Sequence, residues 1–245
     1  MKVIVTNSYD ETCAVIANMI KELVNAKPDA KLGLATGGTP VPIYKKLIEM
    51  NKAGEVDFSR VHTVNLDEYC GIPGTHDQSY RYFMDTNLFD HINIDKKNTF
   101  VASGTSDFEA NARELEEKVR EGGAADLQLL GIGNNGHIAF NEASDHLIAV
   151  AHTEKLTEST INANARFFEK KEDVPTMAIT MGMGDILAAK KVVLAATGLA
   201  KVPAIKGLIM DDVITTQNPS TMLKMHEDAV VVIDRELADA VGYRA

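Results

Sequence analysis

The sequence predicts an α/β fold with a mainly parallel sheet that helices cover on both faces. Short, near-continuous apolar runs alternate with longer amphipathic stretches along the 245 residues, which is the pattern of parallel strands joined by crossover helices. The chain is 45% hydrophobic, enough for one sizeable core, and it contains no repeat, low-complexity tract or linker. We therefore expect a single domain over residues 1–245.

Eight apolar runs predict the strands, because each is short, near-continuous and rich in aliphatic residues. In chain order these strands cover 2–5, 31–35, the first part of 60–69, 126–132, 147–152, 176–182, 191–198 and 229–234. Between them apolar residues recur at helical spacing, and Gly122 closes one of the helices. The predicted helices cover 12–24, 41–50, 79–89, 107–123, 157–170 and 200–210.

Composition and charge exclude several classes of protein. A formal net charge of −10 argues against binding of nucleic acid, whose phosphates require a basic surface. No run of about 18 apolar residues is present, so we expect no membrane span. The first residues are too polar for a signal peptide, and the two cysteines form no disulfide framework. Both features predict a cytoplasmic protein.

The loop after the second predicted strand reads Thr36-Gly37-Gly38-Thr39-Pro40. Thr39 is expected to cap the next helix, with Pro40 in the first helical position, where no backbone donor is lost. Glycines ahead of a helix let backbone amides approach an anion, and the helix dipole favours phosphate there. This loop is either a phosphate site or a tight strand–helix turn without a ligand.

The third predicted strand ends in Asn65-Leu66-Asp67-Glu68-Tyr69, which we expect to be an acidic loop. In open α/β sheets, ligands bind at the carboxyl ends of the strands. Adjacent carboxylates there either bind a metal or supply a base, and a solvated loop is the alternative. No Asp, Glu and His set with convincing ligand spacing accompanies this pair. We therefore expect no metal at this position. The more specific hypothesis is that one carboxylate acts as a base.

The stretch "LLGIGNNGHIAFNE" follows another predicted strand and contains Gly131, Gly133 and Gly136 at the G-x-G-x-x-G spacing of a dinucleotide-binding turn. Such a turn needs a helix that begins near its third glycine. Here the following residues alternate with period two, and the next predicted strand comes too soon for a crossover helix. We expect the glycines to bend the chain so that His137 and Glu142 converge on a pocket. A buried histidine without catalytic function is the alternative.

Together, "LATGGTP", "NLDEY" and "GNNGHIAFNE" resemble the glucosamine-6-phosphate deaminase family, which belongs with the 6-phosphogluconolactonase-like sugar-phosphate proteins. The stretches "ANARFF" (163–168) and "ITMGMGDIL" (179–187) extend the resemblance, which runs from about Lys31 to Lys201. It implies a modified Rossmann-like, three-layer α/β sandwich that binds no dinucleotide. It also implies conversion of glucosamine 6-phosphate and water to fructose 6-phosphate and ammonia, without a metal or organic cofactor.

The resemblance also implies catalytic residues. It assigns opening of the sugar ring to His137, supported by Glu142 and Asn135, and the transfer of a proton from C2 to C1 to Asp67. A neutral histidine suits the first step, and one carboxylate can move a proton along one face of the open sugar. The acidic limb of the pH profile of kcat/KM then reports His137, provided that Asp67 titrates lower.

The implied phosphate site consists of backbone and side chains of the first loop together with two cations. The loop residues are Thr36, Gly37, Gly38 and Thr39, and the cations are Arg166 and Lys201. Arg166 suits bidentate contact with phosphate, and Lys201 acts as a point charge. The segment 156–176 matches the family's mobile lid, whose closure brings Arg166 to the phosphate.

The chain departs from the family pattern at several positions. Asn135 stands where the best-known members have Asp; it can still orient an imidazole by hydrogen bonding, but without negative charge. Ala143 replaces a usual proline, and residues 149–151 replace a Ser-Arg-Thr that the galactosamine-6-phosphate branch also lacks. The substrate epimer therefore stays open. His152 stands where allosterically activated members have Arg, so we expect no such activation.

Two further classes of function stay open at this level. A sugar-sensing transcription regulator uses a related domain to bind an effector, but it has no reason to retain Asp67, His137 and Glu142 together. A lactonase hydrolyses a ring ester and needs no base at C2. We therefore expect an enzyme whose partner is a small sugar phosphate, with no nucleic-acid or membrane partner. A homo-oligomer is possible but not required.

Overall fold

The computed structural model describes residues 1–244, in which the chain forms ten β-strands and eight α-helices. The strands are β1 (Lys2–Thr6), β2 (Lys31–Leu34), β3 (His62–Asn65), β4 (Asp67–Tyr69), β5 (Thr99–Phe100), β6 (Leu127–Leu130), β7 (His152–Lys155), β8 (Met177–Thr180), β9 (Val192–Ala196) and β10 (Ala229–Asp234). The helices are α1 (Tyr9–Ala26), α2 (Val41–Lys52), α3 (Tyr80–Asn87), α4 (Phe108–Arg120), α5 (Glu158–Asn164), α6 (Met183–Leu187), α7 (Val202–Ile209) and α8 (Arg235–Val241).

Seven strands form a parallel sheet in the order β1-β10-β9-β6-β2-β3-β5. Every residue of β6, β9 and β10 is buried, so both faces of this sheet are covered. The helix α1 packs against α2 and contacts β1, β9 and β10, while α8 packs against α7 and contacts β1 and β10. The predicted α/β fold with a mainly parallel sheet flanked by helices is confirmed.

A second sheet, which the apolar pattern does not predict, has three antiparallel strands in the order β4-β8-β7. Residues Asp67–Tyr69 form β4, so the prediction of an acidic loop there is wrong. The run 176–182 contains a strand as expected, but this strand joins the second sheet rather than the parallel one. Both environments bury an apolar run, and the run alone does not indicate which sheet it joins.

The strand predicted over 147–152 is wrong except for its last residue, because β7 begins at His152. Ile148 is exposed, and its carbonyl oxygen accepts the N–H of Met183 at 2.9 Å, where α6 begins. The backbone of this segment thus bonds to the start of a helix. Within residues 1–244, this segment pairs with no strand.

One residue links the two sheets. The N–H of Leu66 donates to the carbonyl of Leu34 in the parallel sheet at 3.1 Å, and the carbonyl of Leu66 accepts the N–H of Met181 at 2.8 Å, next to the second sheet. Asp67 then pairs with Thr180 of β8. The chain therefore passes directly from the carboxyl end of β3 into β4, and Asp67 lies at the boundary between the sheets.

The start of α2 differs from the prediction. No side-chain hydrogen bond caps this helix, so Thr39 is not its cap, and Pro40 lies just before the first helical residue, Val41. Pro42 lies in the first turn instead, where the missing N–H removes no helical hydrogen bond.

The helix expected over 157–170 is shorter than predicted, because α5 is followed by a 3₁₀ turn at Ala165–Phe167.

Besides β4, three further elements are absent from the prediction because they are short. These are β5, with two residues, α6, with five, and α8, with seven; such lengths give little or no periodic signal. Throughout residues 1–244, every helix lacks either the length or the apolar character needed to cross a membrane.

Candidate active site

The candidate residues lie at one edge of the parallel sheet. The strands β9, β6, β2 and β3 are neighbours in this sheet, and because they are parallel their carboxyl ends meet at the same edge. The first glycine loop follows β2, Asp67 follows β3, the stretch with His137 follows β6, and Lys201 follows β9. The topology thus brings together segments that are far apart in the chain.

Asn135, His137 and Glu142 form one group of contacts. Nδ2 of Asn135 donates to Oε2 of Glu142 at 2.9 Å, and Nδ1 of His137 lies 3.4 Å from the same oxygen. Oδ1 of Asn135 accepts the backbone N–H of His137 at 3.2 Å. The Asn135 side chain therefore positions Glu142 and the loop backbone. The expectation that it hydrogen-bonds the imidazole is wrong.

Glu142 is a buried carboxylate. Its Oε1 accepts the hydroxyl of Thr157 at 3.2 Å and also the hydroxyl of Thr160. Burial by itself raises the pKa of Glu142, but His137, Thr160 and Asn135 outweigh burial and lower that pKa to about 2. Glu142 therefore stays charged near neutral pH.

The glycines of the G-x-G-x-x-G stretch shape the segment 131–142, called the histidine loop below. A Cβ on Gly133 would lie 2.3 Å from the imidazole of His137, so only glycine lets the ring rest on this backbone. Gly136 has a φ of +86°, and a Cβ there would lie 1.9 Å from Oδ1 of Asn218. No helix occurs between residues 131 and 151, whereas a dinucleotide-binding turn opens a helix. The geometry is therefore that of a histidine-bearing loop.

Asp67 and Glu68 are both buried, with 7% and 1% of their surface exposed, but their surroundings differ. Glu68 accepts the backbone N–H groups of Tyr69 and Tyr80 at 2.8 Å and of Arg81 at 3.0 Å, and it thereby holds the start of α3. Burial raises the pKa of Glu68 to about 7, although these donors oppose the shift. Asp67 has no donor among the described residues. Burial, and then the charge of Glu68, raise the pKa of Asp67 to about 8.

The raised pKa of Asp67 changes the expected pH dependence. The assumption that Asp67 titrates in the low range of ordinary carboxyls is wrong, because its pKa is about 8. The acidic limb of kcat/KM is therefore expected to report Asp67.

Among the described residues, no group of three His, Cys, Asp or Glu side chains is placed to hold a metal ion.

The glycines of the first loop face open space. Gly37 has a φ of +86°, and a Cβ built on Gly37 or on Gly38 would meet no atom within 4 Å. Thr36 and Thr39 are half-buried at the two ends of this pair, and the carbonyl of Thr39 accepts the hydroxyl of Tyr9. The loop is thus held from behind while its glycine backbone stays accessible to an anion.

The two cations singled out from the sequence lie near each other. Burial, and then the charge of Arg166, lower the pKa of Lys201. Neither side chain forms an ion pair with a carboxylate in the described part of the chain. The guanidinium of Arg166 lies 4.6 Å from the ring centre of Phe167. Two adjacent cations without a counter-charge suit a dianionic ligand such as a phosphate group.

The segment 156–176, called the lid segment below, connects β7 to β8. Its ends meet, because the N–H of Leu156 donates to the carbonyl of Thr176 at 2.9 Å. Within it, the ring of Phe168 packs edge-on to Tyr69, with centroids 5.9 Å apart. The lid segment therefore rests on the strand that contains Asp67. Its mobility stays a prediction.

The contacts of two residues at the site were not predicted from the sequence. Glu68 looks like a partner of Asp67 in the motif, but it binds the start of α3 instead. Thr160 belongs to a Thr-x-x-Thr pattern typical of a helix N-terminus, and this pattern gives no sign of its contact with Glu142, 18 residues away. A local motif does not report contacts over such a separation.

Comparison with known proteins places the chain in a family. Residues 6–232 match the family model of glucosamine-6-phosphate isomerases/6-phosphogluconolactonase. The chain is 53% identical over 242 residues to a glucosamine-6-phosphate deaminase from Clostridium beijerinckii, a match that covers 98% of this chain and all of that protein. It is 51% identical over 239 residues to a glucosamine-6-phosphate deaminase from Clostridium perfringens, covering 97% and 98% of the two chains.

Solved structures agree with these matches. A monomeric glucosamine-6-phosphate deaminase of 39% identity superposes with a TM-score of 0.95 over 98% of this chain and 100% of that chain. A 6-phosphogluconolactonase from Thermotoga maritima, 20% identical, has a TM-score of 0.75 over 96% and 99% of the two chains and shares the fold. On the family model and on relatives above 50% identity, the chain belongs to the family of glucosamine-6-phosphate isomerases and 6-phosphogluconolactonases.

Proposed function

We propose that the protein is a glucosamine-6-phosphate deaminase, which converts glucosamine 6-phosphate and water to fructose 6-phosphate and ammonia. The main observation behind the proposal is Asp67, a buried carboxyl with a raised pKa, at the same sheet edge as the His137–Glu142 pair. Two neighbouring cations supply the binding charge. Relatives with this activity match the chain over nearly its full length, which supports the same conclusion.

Ring opening is assigned to His137. The substrate is a cyclic amino sugar, so the bond between C1 and the ring oxygen must break before C2 can react. A neutral imidazole takes the proton of the O1 hydroxyl and delivers it to the ring oxygen. Glu142 stabilises the imidazolium formed between these transfers, and Asn135 holds Glu142 in place.

Isomerisation is assigned to Asp67. In the open aldose, the C1 carbonyl acidifies the proton on C2, and the Asp67 carboxylate removes it to form an enolamine. The same group returns the proton to C1, and a proton passes from the C2 nitrogen to O1, which leaves a C1 hydroxyl and a ketimine at C2. Water then adds to C2, ammonia leaves, and the ketone of fructose 6-phosphate remains. Burial of Asp67 makes its carboxylate a stronger base and keeps the carried proton away from bulk water.

Binding of the phosphate is assigned to the first loop and the two cations. A Cβ on Gly37 or Gly38 would meet no atom within 4 Å, so we assign the anion contact to this open backbone, and the residues on either side, Thr36 and Thr39, offer hydroxyls. Arg166 binds two phosphate oxygens through its planar guanidinium, and Lys201 adds a second charge. Local cations thus allow a chain with a net charge of −10 to bind an anion.

Other functions are less well supported. The curated relatives above 50% identity are glucosamine-6-phosphate deaminases, which disfavours the galactosamine epimer. Neither a lactonase nor an effector-binding module needs a base at C2, so neither explains a buried carboxyl of raised pKa. All assigned residues lie in one chain, so catalysis does not require an oligomer.

The test is product formation from matched substrates. We expect ammonia and fructose 6-phosphate in equal amounts from glucosamine 6-phosphate, and a much lower rate from galactosamine 6-phosphate. Ammonia is followed with glutamate dehydrogenase, and the ketose phosphate in a separate coupled assay. A faster reaction with the galacto epimer would correct the substrate. Release of acid from 6-phosphogluconolactone without any ammonia from the amino sugar would contradict the proposal.

A further inference from the structure

Glu142 is held from two sides. Its Oε2 faces the histidine loop, with Nδ2 of Asn135 at 2.9 Å and Nδ1 of His137 at 3.4 Å. Its Oε1 accepts the hydroxyls of Thr157 and Thr160, which belong to the lid segment. One carboxylate oxygen is therefore bound by the loop, and the other depends on α5 and its cap.

The hydroxyl of Thr160 binds Glu142 more specifically than the hydroxyl of Thr157 does. A hydroxyl has one proton to donate, and Thr157 Oγ1 lies near three acceptors: Glu142 Oε1 at 3.2 Å, Ser159 Oγ at 3.0 Å and Thr160 Oγ1 at 3.2 Å. Thr157 also caps α5 by accepting the N–H of Thr160. The hydroxyl of Thr160, by contrast, donates to Glu142 alone among the described residues, and Thr160 is only 5% exposed. Water competes little for this bond.

Apolar contacts fix the position of α5. Leu156, just before this helix, is buried in a cluster with Tyr69 and Phe140, and Ile161 of α5 packs against the same cluster. Tyr69 belongs to the strand of Asp67, and Phe140 belongs to the histidine loop. The helix that supplies the hydroxyl therefore rests on both halves of the site.

The same segment also contains a phosphate-binding cation. α5 ends at Asn164 and continues without interruption into the 3₁₀ turn Ala165–Phe167, so Arg166 and Thr160 belong to one continuous helical segment. Under the proposed function, contact between Arg166 and the substrate phosphate holds α5 against the site. The phosphate contact then also secures the hydroxyl on Glu142.

We propose that Thr160 is a positioning residue that acts through Glu142 to hold His137 ready for ring opening, and that it makes ring opening depend on the lid segment being in place. This inference rests on the proposed function. Thr160 is assigned no contact with the substrate or with a reacting atom. Loss of its hydroxyl is therefore expected to slow turnover more than it weakens binding.

Three variants test this inference. Thr160→Val replaces the hydroxyl with a methyl group of similar shape, Thr160→Ser keeps the hydroxyl, and Ser159→Ala removes a hydroxyl of the same helix that does not contact Glu142. For Thr160→Val we expect kcat to fall about 10- to 100-fold, the range for a lost hydrogen bond to a charged group. KM is expected to change less than about threefold. The other two variants are expected to keep kcat within about threefold of the wild type.

A double mutant separates this effect from general damage. In the Glu142→Gln background, Thr160→Val is expected to cause no further loss of kcat, because its effect passes through Glu142. Thermal unfolding shows whether each variant is folded, and Thr160→Ala replaces Thr160→Val if the latter is not.

The proposal is overturned if folded Thr160→Val retains wild-type kcat, or if it causes the same loss with and without Glu142. It is also overturned if Thr160→Val raises only KM. The wild type is assayed first on glucosamine 6-phosphate. Absence of ammonia there contradicts the proposed function as well, whereas an active wild type with an unaffected Thr160→Val contradicts this inference alone.

Discussion

Two buried carboxyls at the same sheet edge have opposite electrostatics. Asp67 and Glu142 are 7% and 6% exposed, so their burial is nearly equal. Nevertheless the pKa of Asp67 is raised to about 8 and that of Glu142 is lowered to about 2. The difference lies in the neighbours. Asp67 lies beside Glu68 without a donor from the described residues, whereas Glu142 faces His137 and three hydrogen-bond donors.

For these two carboxyls of nearly equal burial, the neighbouring donors and charges decide the direction of the pKa shift, whereas at Glu68 burial outweighs three backbone donors. A group that carries a proton between two carbon atoms needs a pKa near the working pH, whereas a fixed counter-charge for a histidine needs a low one. The surroundings of Asp67 suit the first task and those of Glu142 the second. Similar side chains at one edge thereby acquire separate functions.

The largest expected effect comes from Asp67→Asn. The amide cannot accept the C2 proton, so we expect kcat to fall about 10²- to 10⁴-fold, the range for loss of a general base. Ammonia release measures the effect, and proton–deuterium exchange at C2 in heavy water locates it. Exchange at the wild-type rate in the variant would remove Asp67 from the role of base.

The same comparison applies to the cations, because Lys201, like Asp67, forms no ion pair with an opposite charge among residues 1–244. Removing one charge-assisted contact costs about 1.5–3 kcal/mol, so Arg166→Ala and Lys201→Ala are each expected to raise KM roughly 10- to 100-fold. Lys206→Ala, at an exposed position of α7, is the matched control and is expected to leave KM unchanged. Unaltered KM values in both test variants would place the phosphate elsewhere.

The pH dependence of stability tests the difference between Asp67 and Glu142 most directly, because the two carboxyls contribute to the free energy of unfolding with opposite signs. The raised pKa of Asp67 lowers stability progressively between its ordinary value of 3.8 and about 8. The lowered pKa of Glu142 adds stability that is fully present above 4.5 and is lost as the pH falls towards about 2. Each effect is on the order of a few kcal/mol at most.

Two variants reveal these signs in thermal unfolding. Asp67→Asn is expected to be more stable than the wild type at pH 8, with the gap closing towards pH 4, since the amide never ionises. Glu142→Gln is expected to be less stable at neutral pH, with the gap closing in strong acid. Parallel curves for either variant and the wild type would contradict the corresponding pKa shift.

The smallest expected effect is a displacement of the acidic limb of kcat/KM. Glu68→Gln removes the charge that helps to raise the pKa of Asp67, so the limb is expected to move to lower pH, by on the order of one unit. Asn135→Asp changes the surroundings of Glu142 and is expected to leave the limb in place. If Asn135→Asp moved the limb and Glu68→Gln did not, the titrating group would be His137.

Much of the fold could be predicted because the main strands and helices have clear local patterns. The near-continuous aliphatic runs in β9 and β10 and the helical spacing in α1 needed no tertiary information. The second sheet could not be predicted, because β4 reads Asp-Glu-Tyr and is buried only through pairing with β8. The apolar segment before β7 was instead predicted as a strand that the structure does not contain. This segment is exposed, and its backbone bonds to the start of α6.

The identity and the order of the chemical groups at the site follow from the sequence alone. Asp67, His137, Glu142, Arg166 and Lys201 are recognisable from their motifs, and the alternation of strands and helices implies that loops meet at one sheet edge. These are properties of residue type and local spacing, which do not depend on how distant segments pack.

The contacts and pKa of each group, by contrast, depend on the folded arrangement of the chain. It placed Glu68 on the start of α3, directed Asn135 to Glu142 rather than to the imidazole, and brought Thr160 from the lid segment to the same carboxylate. It also gave Asp67 and Glu142 opposite pKa shifts. The physical reason is that a pKa depends on burial and on all nearby donors and charges, and these come from segments that meet only in the folded chain.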